Sequence, residues 1–451
     1  MAARTGAQFL EGLRNTHREL YVEGERIDDV TSHPKLVGGA TSVASVFDRQ
    51  HECPDECLVA DPETGEAINI SHMHPRGIED LRLRNEGLSR ISEMTTGLMG
   101  RTPDYMNMKF AAFAANAHTW SGLGEHTAEG SANLVAYQKK LRREDISLTH
   151  TIIQPTINKS TDAQVIGNKV TIHKVADTRD GGIVVRGARI LGTLAPYADE
   201  LAVYPALPIP DGATDYAVSF AIPLDTPGLK FLCRDSATVV AHPFDKPLSS
   251  RFDEQDAFVI FDDVEIPRDR VFLNGGRGSV EAYNAFTGPR MMANMTTQTT
   301  IRAMNKLEFS YGLGTMMAEA IGDRSPGTHE MLGELQSYLE VTRNAVIAAT
   351  EGGWEDDRGV WFLDNRALAP MRSLLAVWFP RVNEILTLIG SHNLLAAPSR
   401  ADLDNPELRP LIDAFMHGAD GLAAERRAAI FRLAWDYIGS ALGAPRLLYP
   451  P

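Results

Sequence analysis

The chain has 451 residues, with 44 Lys and Arg against 59 Asp and Glu, for a formal net charge of −15. That length predicts two or three domains, and the acid excess excludes nucleic acid or an anionic membrane as the main partner, because either requires a basic face. Cys53, Cys57 and Cys233 make no disulfide framework and point to a reducing cytoplasm; the start of the chain lacks a long apolar core, so no signal peptide is expected, and no apolar run is long enough to span a bilayer.

Residues 1–146 read as an N-terminal helical domain. Thr5 with Gln8 makes a capping box, and Phe9, Leu10 and Leu13 follow on one helical face. Residues 21–75, rich in Gly, Asp, His and Pro, read as irregular. Leu81, Leu88, Ile91 and Met94 predict a helix over about 78–98, and two more are expected near 105–117 and 129–142. Cys53 and Cys57, even with His51 and His72, lack the spacing of a zinc motif, so no metal is expected.

The period then changes to that of strands, giving a middle β domain over 147–275. Val170 to Val175, Gly182 to Arg186, Glu200 to Tyr204, Tyr216 to Ala221 and Ala257 to Phe261 are strand-like, and Asp180-Gly181-Gly182 is a hairpin signal. An antiparallel barrel or sandwich is expected. The acidic stretch Asp253-Glu254-Gln255-Asp256 reads as a solvated loop. Residues 276–451 read as a C-terminal helical bundle. One helix starts at Ser325-Pro326, turns Leu332, Leu335, Leu339 and Val346 inward, and stops at Gly352-Gly353. Another covers about 366–389, bent by Pro370 and Pro380, and a last one about 419–438.

There is no G-x-G-x-x-G, Walker loop, H-E-x-x-H or G-x-S-x-G pattern. A redox enzyme with this sequence has no recognisable nicotinamide domain and would take its electrons from elsewhere. Two stretches carry chemistry: Gly100-Arg101-Thr102-Pro103-Asp104-Tyr105 and Thr149-His150-Thr151-Ile152-Ile153-Gln154-Pro155. Each sets a cation or a proton-transfer group where a helix meets a loop or a strand begins. Arg101, Tyr105 and His150 together suit the grip of a phenol-sized anion. Taken singly, Arg101 is also compatible with a surface arginine, and His150 with a hydrogen-bonded core histidine.

These stretches, with Gly187-Ala188-Arg189-Ile190-Leu191-Gly192-Thr193-Leu194-Ala195-Pro196-Tyr197, Phe261-Asp262-Asp263-Val264-Glu265-Ile266-Pro267 and the run from Gly439-Ser440 to Leu447-Leu448-Tyr449, resemble the oxygenase component of the 4-hydroxyphenylacetate 3-hydroxylase family. The resemblance covers nearly the whole chain in order. It implies an α+β, acyl-CoA dehydrogenase-like fold: a helical domain, a β domain and a four-helix bundle. It also implies a two-component phenol monooxygenase, in which a separate NAD(P)H:flavin reductase supplies FADH2. The oxygenase uses that flavin with O2, through a flavin hydroperoxide, to hydroxylate a phenol beside its hydroxyl. By the same resemblance His150 meets the phenol oxygen near the flavin, Arg101 and Tyr105 complete the catalytic and substrate-binding set, and Pro205 and Ala206 border the substrate. His150, Thr151, Ile152, Thr156, Ile157, Asn158, Lys159, Thr193, Gly443, Ala444, Pro445 and Arg446 fall where the family binds FAD.

Other readings are another flavoenzyme of the same fold, a dehydrogenase or a 4-hydroxybutyryl-CoA dehydratase-like enzyme, or a non-catalytic helical oligomer. The dehydratase needs three cysteines and a histidine for its iron–sulfur cluster, and 100–105 holds no cysteine. Long apolar-faced helices predict a homo-oligomer, a tetramer or a dimer.

Overall fold

The computed structural model describes residues 3–155, 157 and 169–443. The first helix, Gly6–Asn15, carries the expected Thr5/Gln8 capping box and buries Phe9 and Leu13. The segment read as irregular instead holds a 16-residue helix, Val37–Glu52. Its buried Ala40, Val43, Ala44 and Phe47 do follow helical spacing, but no side chain caps its start and it opens on two glycines. A strand, Glu19–Val22, also precedes it and pairs in parallel with Leu229–Cys233, so the start of the chain contributes to the middle sheet.

Helix Ile78–Glu93 ends short of the expected position 98 because Thr96 and Gly97 turn to φ 51° and 69°. Gly97 is required there, since a Cβ would meet the backbone oxygen of Arg302 at 2.4 Å. Pro103 opens the next helix, Pro103–Asn116, every residue of which is buried.

Among the described residues the β region is a sandwich. One sheet runs Glu25–Arg26, Glu19–Val22, Leu229–Cys233, Asp256–Ile266, Ile183–Thr193, His173–Asp177. The other runs Val271–Asn274, Val218–Pro223, Glu200–Val203, Leu148–Thr151. Pairing is antiparallel except at Glu19–Val22 with Leu229–Cys233 and at Leu148–Thr151 with Glu200–Val203. Gly181, at φ 83°, turns the expected hairpin. The inner faces meet through residues such as Val185, Val259, Val203 and Ile222, with Phe220 edge-on to Phe261 at 5.9 Å.

Helices Gly288–Ile321, Pro326–Glu351, Asn365–Gly390 and Ala424–Ile438 form the bundle. Ser325 caps the second as expected, Leu335, Leu339 and Val346 are buried, and Leu332 is half-buried. Pro370 and Pro380 both lie inside the third. The 34-residue first helix lacks an apolar period because its buried face is polar: Thr296, Thr297, Gln298, Thr300, Arg302 and Asn305 point inward. That face lies against Pro103–Asn116, where Gln298 Nε2 donates to Asp104 Oδ2 at 2.9 Å and Asn294 Nδ2 to the Met108 carbonyl at 2.9 Å. Among the described residues no helix is long and apolar enough to cross a membrane.

Candidate active site

Three regions of the chain converge at the start of helix Pro103–Asn116. Arg101 lies just before that helix and so does not share its face with Tyr105, as a helix starting at 101 would have it. Its guanidinium instead folds back over the Tyr105 ring, 4.2 Å from the ring centre. The turn holding it is pressed against helix Gly288–Ile321: a Cβ on Gly100 would meet the Arg302 guanidinium at 2.9 Å. The Arg101 backbone N–H donates to Glu254 Oε1 at 2.7 Å.

His150 sits on the edge strand Leu148–Thr151, in register with Ala202 of the neighbouring strand. Tyr204 follows directly on that neighbour's last residue, Val203. The imidazole therefore lies between two tyrosine rings, 5.3 Å from Tyr105 and 5.8 Å from Tyr204. Arg101, Tyr105 and His150 are thus brought together as the sequence expectation required.

Sequence reasoning missed Lys109. It is one helical turn beyond Tyr105 and 1% exposed. Its ammonium donates to the Tyr204 hydroxyl at 2.7 Å and stands 4.3 Å from the Tyr105 ring centre. The signal was a lone lysine within Met106-Asn107-Met108-Lys109-Phe110-Ala111-Ala112-Phe113, an otherwise uncharged run that has to be buried all round.

Two cations in a dry cluster reset every titratable group near them. Burial, then Lys109 and Arg101, hold the His150 imidazole well below its usual range, so the ring is neutral at physiological pH. This revises the sequence expectation of a proton-sharing group near neutrality. Burial pushes the Tyr105 phenol up, but Arg101 and Lys109 more than offset it and leave the hydroxyl lowered to about 8. Burial, then the Tyr105 charge, pushes Tyr204 well up. Burial lowers Lys109, although Tyr105 opposes it. Arg302 is lowered to about 10 by burial and by Arg101.

The acidic stretch read as a solvated loop is largely buried here. Asp253 and Asp256 accept from the Arg234 guanidinium at 2.6 and 3.0 Å, and composition gave no sign of that counter-charge. Glu254 is pushed up by burial, with the Arg302 and Arg101 cations opposing.

The residues expected to bind flavin fall on adjoining segments. Thr149 Oγ1 donates to the Thr193 carbonyl at 2.5 Å, the Ile190 N–H to the Ile153 carbonyl at 2.8 Å, and the Leu194 N–H to the Gln255 carbonyl at 2.9 Å. Thr193 donates its own hydroxyl proton to Asp256 Oδ1 at 2.6 Å, and Thr151 donates to the Ile190 carbonyl at 3.0 Å. Each hydroxyl is left only an acceptor role toward a ligand. Arg189 Nη1 donates to the Ile152 carbonyl at 2.5 Å.

His150 Nδ1, Gln154 Oε1 and both amide atoms of Gln255 are buried without a hydrogen-bond partner among the described residues. Buried polar atoms are rarely left so, and the edge of a flavin ring, which carries donors and acceptors, fits such a set. Ile157 is exposed and Gly443 buried. Thr156, Asn158, Lys159, Ala444, Pro445 and Arg446 lie outside the described residues. Pro205, beside Tyr204, is buried, whereas Ala206 is exposed.

Among the described residues no three His, Cys, Asp or Glu side chains gather in a way that would hold a metal. Cys57 is buried and pushed up to about 12 by burial. Trp120, at a helix end, stacks on Phe286 at 5.2 Å.

Comparison with known proteins points the same way. Family models described as 4-hydroxyphenylacetate 3-hydroxylase N terminal and C terminal match residues 5–273 and 283–450. The 4-hydroxyphenylacetate 3-monooxygenase oxygenase component of Thermus thermophilus is 36% identical over 449 residues, which is 99% of this chain and 91% of that protein. The oxygenase component of a 4-nitrophenol 2-monooxygenase from Rhodococcus sp is 32% identical, over 99% of this chain and 85% of the relative. A crystal structure of the oxygenase component of 4-hydroxyphenylacetate 3-monooxygenase, complexed with FAD and 4-hydroxyphenylacetate, superposes with a TM-score of 0.92 at 35% identity, covering 99% of this chain and 92% of that one.

Proposed function

The chain belongs to the 4-hydroxyphenylacetate 3-hydroxylase family, and on that premise we infer that it is the oxygenase component of a flavin-dependent phenol monooxygenase. It takes FADH2 from a separate reductase and, with O2, hydroxylates a phenol beside its hydroxyl to give a catechol. The bound reduced flavin and O2 supply the oxygen atom that enters the ring.

The chain's own task is to hold the phenol as an anion in a dry place. Ionisation pushes electron density into the ring and makes the carbon beside the oxygen a better nucleophile. The Arg101 guanidinium provides a fixed positive charge for that oxygen, and His150, kept neutral, provides a hydrogen bond to it. Tyr105 walls the site and offers a second hydroxyl. Thr151, Ile152 and Thr193 would hold the flavin, with Gln154 and Gln255 as further partners for its ring edge. Pro205 closes the substrate side.

One observation carries this reading. Lys109 is a buried cation and Arg101 a half-buried one, and neither forms an ion pair with a carboxylate among the described residues. Isolated buried charge is costly, and a bound anion offsets it. A non-catalytic oligomer has no use for such an arrangement.

The test is a panel of para-substituted phenols with FAD, a generic flavin reductase and NADH, read by mass. Catechol from at least one phenol is the expected outcome; none from any, with reduced FAD present throughout, overturns the assignment. The panel also identifies the para substituent the site accepts.

We further propose a homo-oligomer, tetramer or dimer, with the bundle at its centre. Val377 on Asn365–Gly390 is 69% exposed and Ile347 on Pro326–Glu351 is 54% exposed, an apolar surface that a second copy would cover. Light scattering should give a multiple of 49.4 kDa, and a monomer mass overturns the proposal. The free cysteines suit a cytoplasmic location. Units of 1–146, 147–275 and 276–451 remain the proposed division, with strand Glu19–Val22 crossing from the first to the sheet of the second.

A further inference from the structure

We propose that Lys109 is a positioning residue that keeps the Tyr105 oxygen, as phenolate, ready to take the proton of the bound phenol. This deepens the reading of the site given above and rests on it.

An ammonium group donates and never accepts. Lys109 Nζ therefore donates a hydrogen bond to the Tyr204 oxygen at 2.7 Å, and Tyr204 must donate its own O–H elsewhere. That bond pins the lysine 4.3 Å from the Tyr105 ring centre, while Arg101 covers the ring at 4.2 Å. Tyr105 thus stands beside two cations, and its phenolate is the charge that would neutralise one of them.

Other groups face the same volume. His150 comes from the edge strand, Tyr204 from the end of its neighbour, Asp104 from the same helix, and Glu254 and Asp256 from the acidic stretch. Arg302 comes from the bundle, whose exposed Arg372 also adds positive charge felt by Lys109. Asp104 is pushed up to about 6 by burial, and Glu254 is pushed up as well. The balance beside Tyr105 is positive.

His150 cannot easily take the proton itself. Doing so would place a charge in a buried position and add a third cation beside Lys109 and Arg101; burial first, then those two cations, lower its basicity. Tyr105 has the opposite problem and therefore suits the task. Before substrate enters, Tyr105 loses its proton to solvent. On binding, the substrate O–H bond breaks, the electron pair stays on the substrate oxygen, and a new O–H bond forms on the Tyr105 oxygen. Lys109 keeps all three of its protons throughout, and Arg101 and His150 hold the new phenolate.

The direct test needs neither flavin nor phenol. The tyrosinate ultraviolet band of the apoprotein is followed against pH in wild type, Tyr105→Phe, Lys109→Met and Lys109→Arg. Wild type should show one tyrosine ionising near pH 8; Tyr105→Phe should lose that step, Lys109→Met should move it up by about one unit or more, and Lys109→Arg should keep it low. In turnover, the acidic limb of the kcat/KM profile should shift upward in Lys109→Met alone. No low-pH tyrosinate in wild type, or an unchanged step in Tyr105→Phe, overturns the proposal even if Lys109→Met does not fold. A failed phenol panel with an intact low step would instead overturn the hydroxylase reading and leave the Lys109–Tyr105 coupling standing.

Discussion

Replacing Arg101 with Met should lower kcat/KM for hydroxylation by about 10²–10³-fold, because a fixed charge aimed at an oxyanion in a water-excluded site carries a factor of that order. The guanidinium lies on the Tyr105 ring and, among the described residues, donates only to the Gly100 carbonyl at 3.1 Å. Its remaining N–H groups have no acceptor among the described residues and can serve a ligand oxygen. The backbone contact to Glu254 does not depend on the side chain, so the turn should survive the change. Arg101→Lys should recover only part of the loss, since an ammonium lacks the planar fork that can stack on Tyr105 and bond an oxygen together. Binding of reduced FAD, measured separately, should change little. A Met variant with kcat/KM near that of wild type would remove Arg101 from the site.

Much of this centre could be read in advance. The order of helical, β and helical segments follows from a change of hydrophobic period, and the Thr5/Gln8 and Ser325 caps are where their residue types place them. Arg101, Tyr105 and His150 were identifiable as a group only through motifs that co-occur in order. What stayed hidden depends on partners distant in sequence. Helix Gly288–Ile321 has no visible apolar stripe because threonines, Gln298 and Arg302 form its buried face. Gln298, Asn294 and Arg302 find hydrogen bonds on helix Pro103–Asn116 and the Gly97 turn, and Thr296, Thr297 and Thr299 turn their hydroxyls back to carbonyls of their own helix. Asp253 and Asp256 look solvated until Arg234 is set beside them. Tyr204 adjoins Pro205 and Ala206, which were expected at the substrate, but its bond to Lys109 spans 95 residues and two elements.

The charge on the imidazole is equally invisible in sequence, and it decides the role of His150. A histidine in water titrates near neutrality. Between two tyrosine rings and beside two buried cations it does not. An enzyme that used His150 as its proton acceptor would show an acidic limb from the imidazole. One that uses it as a neutral hydrogen-bonding group would show none from that residue.

His150→Ala should therefore still bind reduced FAD and still consume NADH and O2, but release H2O2 in place of catechol, with the yield of catechol per NADH falling by about tenfold or more. The alanine removes the hydrogen bond to the phenol oxygen and opens a ring-sized space between Tyr105 and Tyr204, which admits water where the reaction needs none. His150→Asn separates these two effects. It retains a hydrogen-bonding group in a smaller side chain and should recover part of the yield. Its pH profile should keep the wild-type shape, because the residue replaced carries no charge across the working range. Yields in His150→Ala equal to wild type would show that His150 only fills the space between two aromatic rings. A limb lost from the profile of His150→Asn would show instead that the imidazole takes the proton, and that the cations beside it are balanced by a group that binds with the substrate.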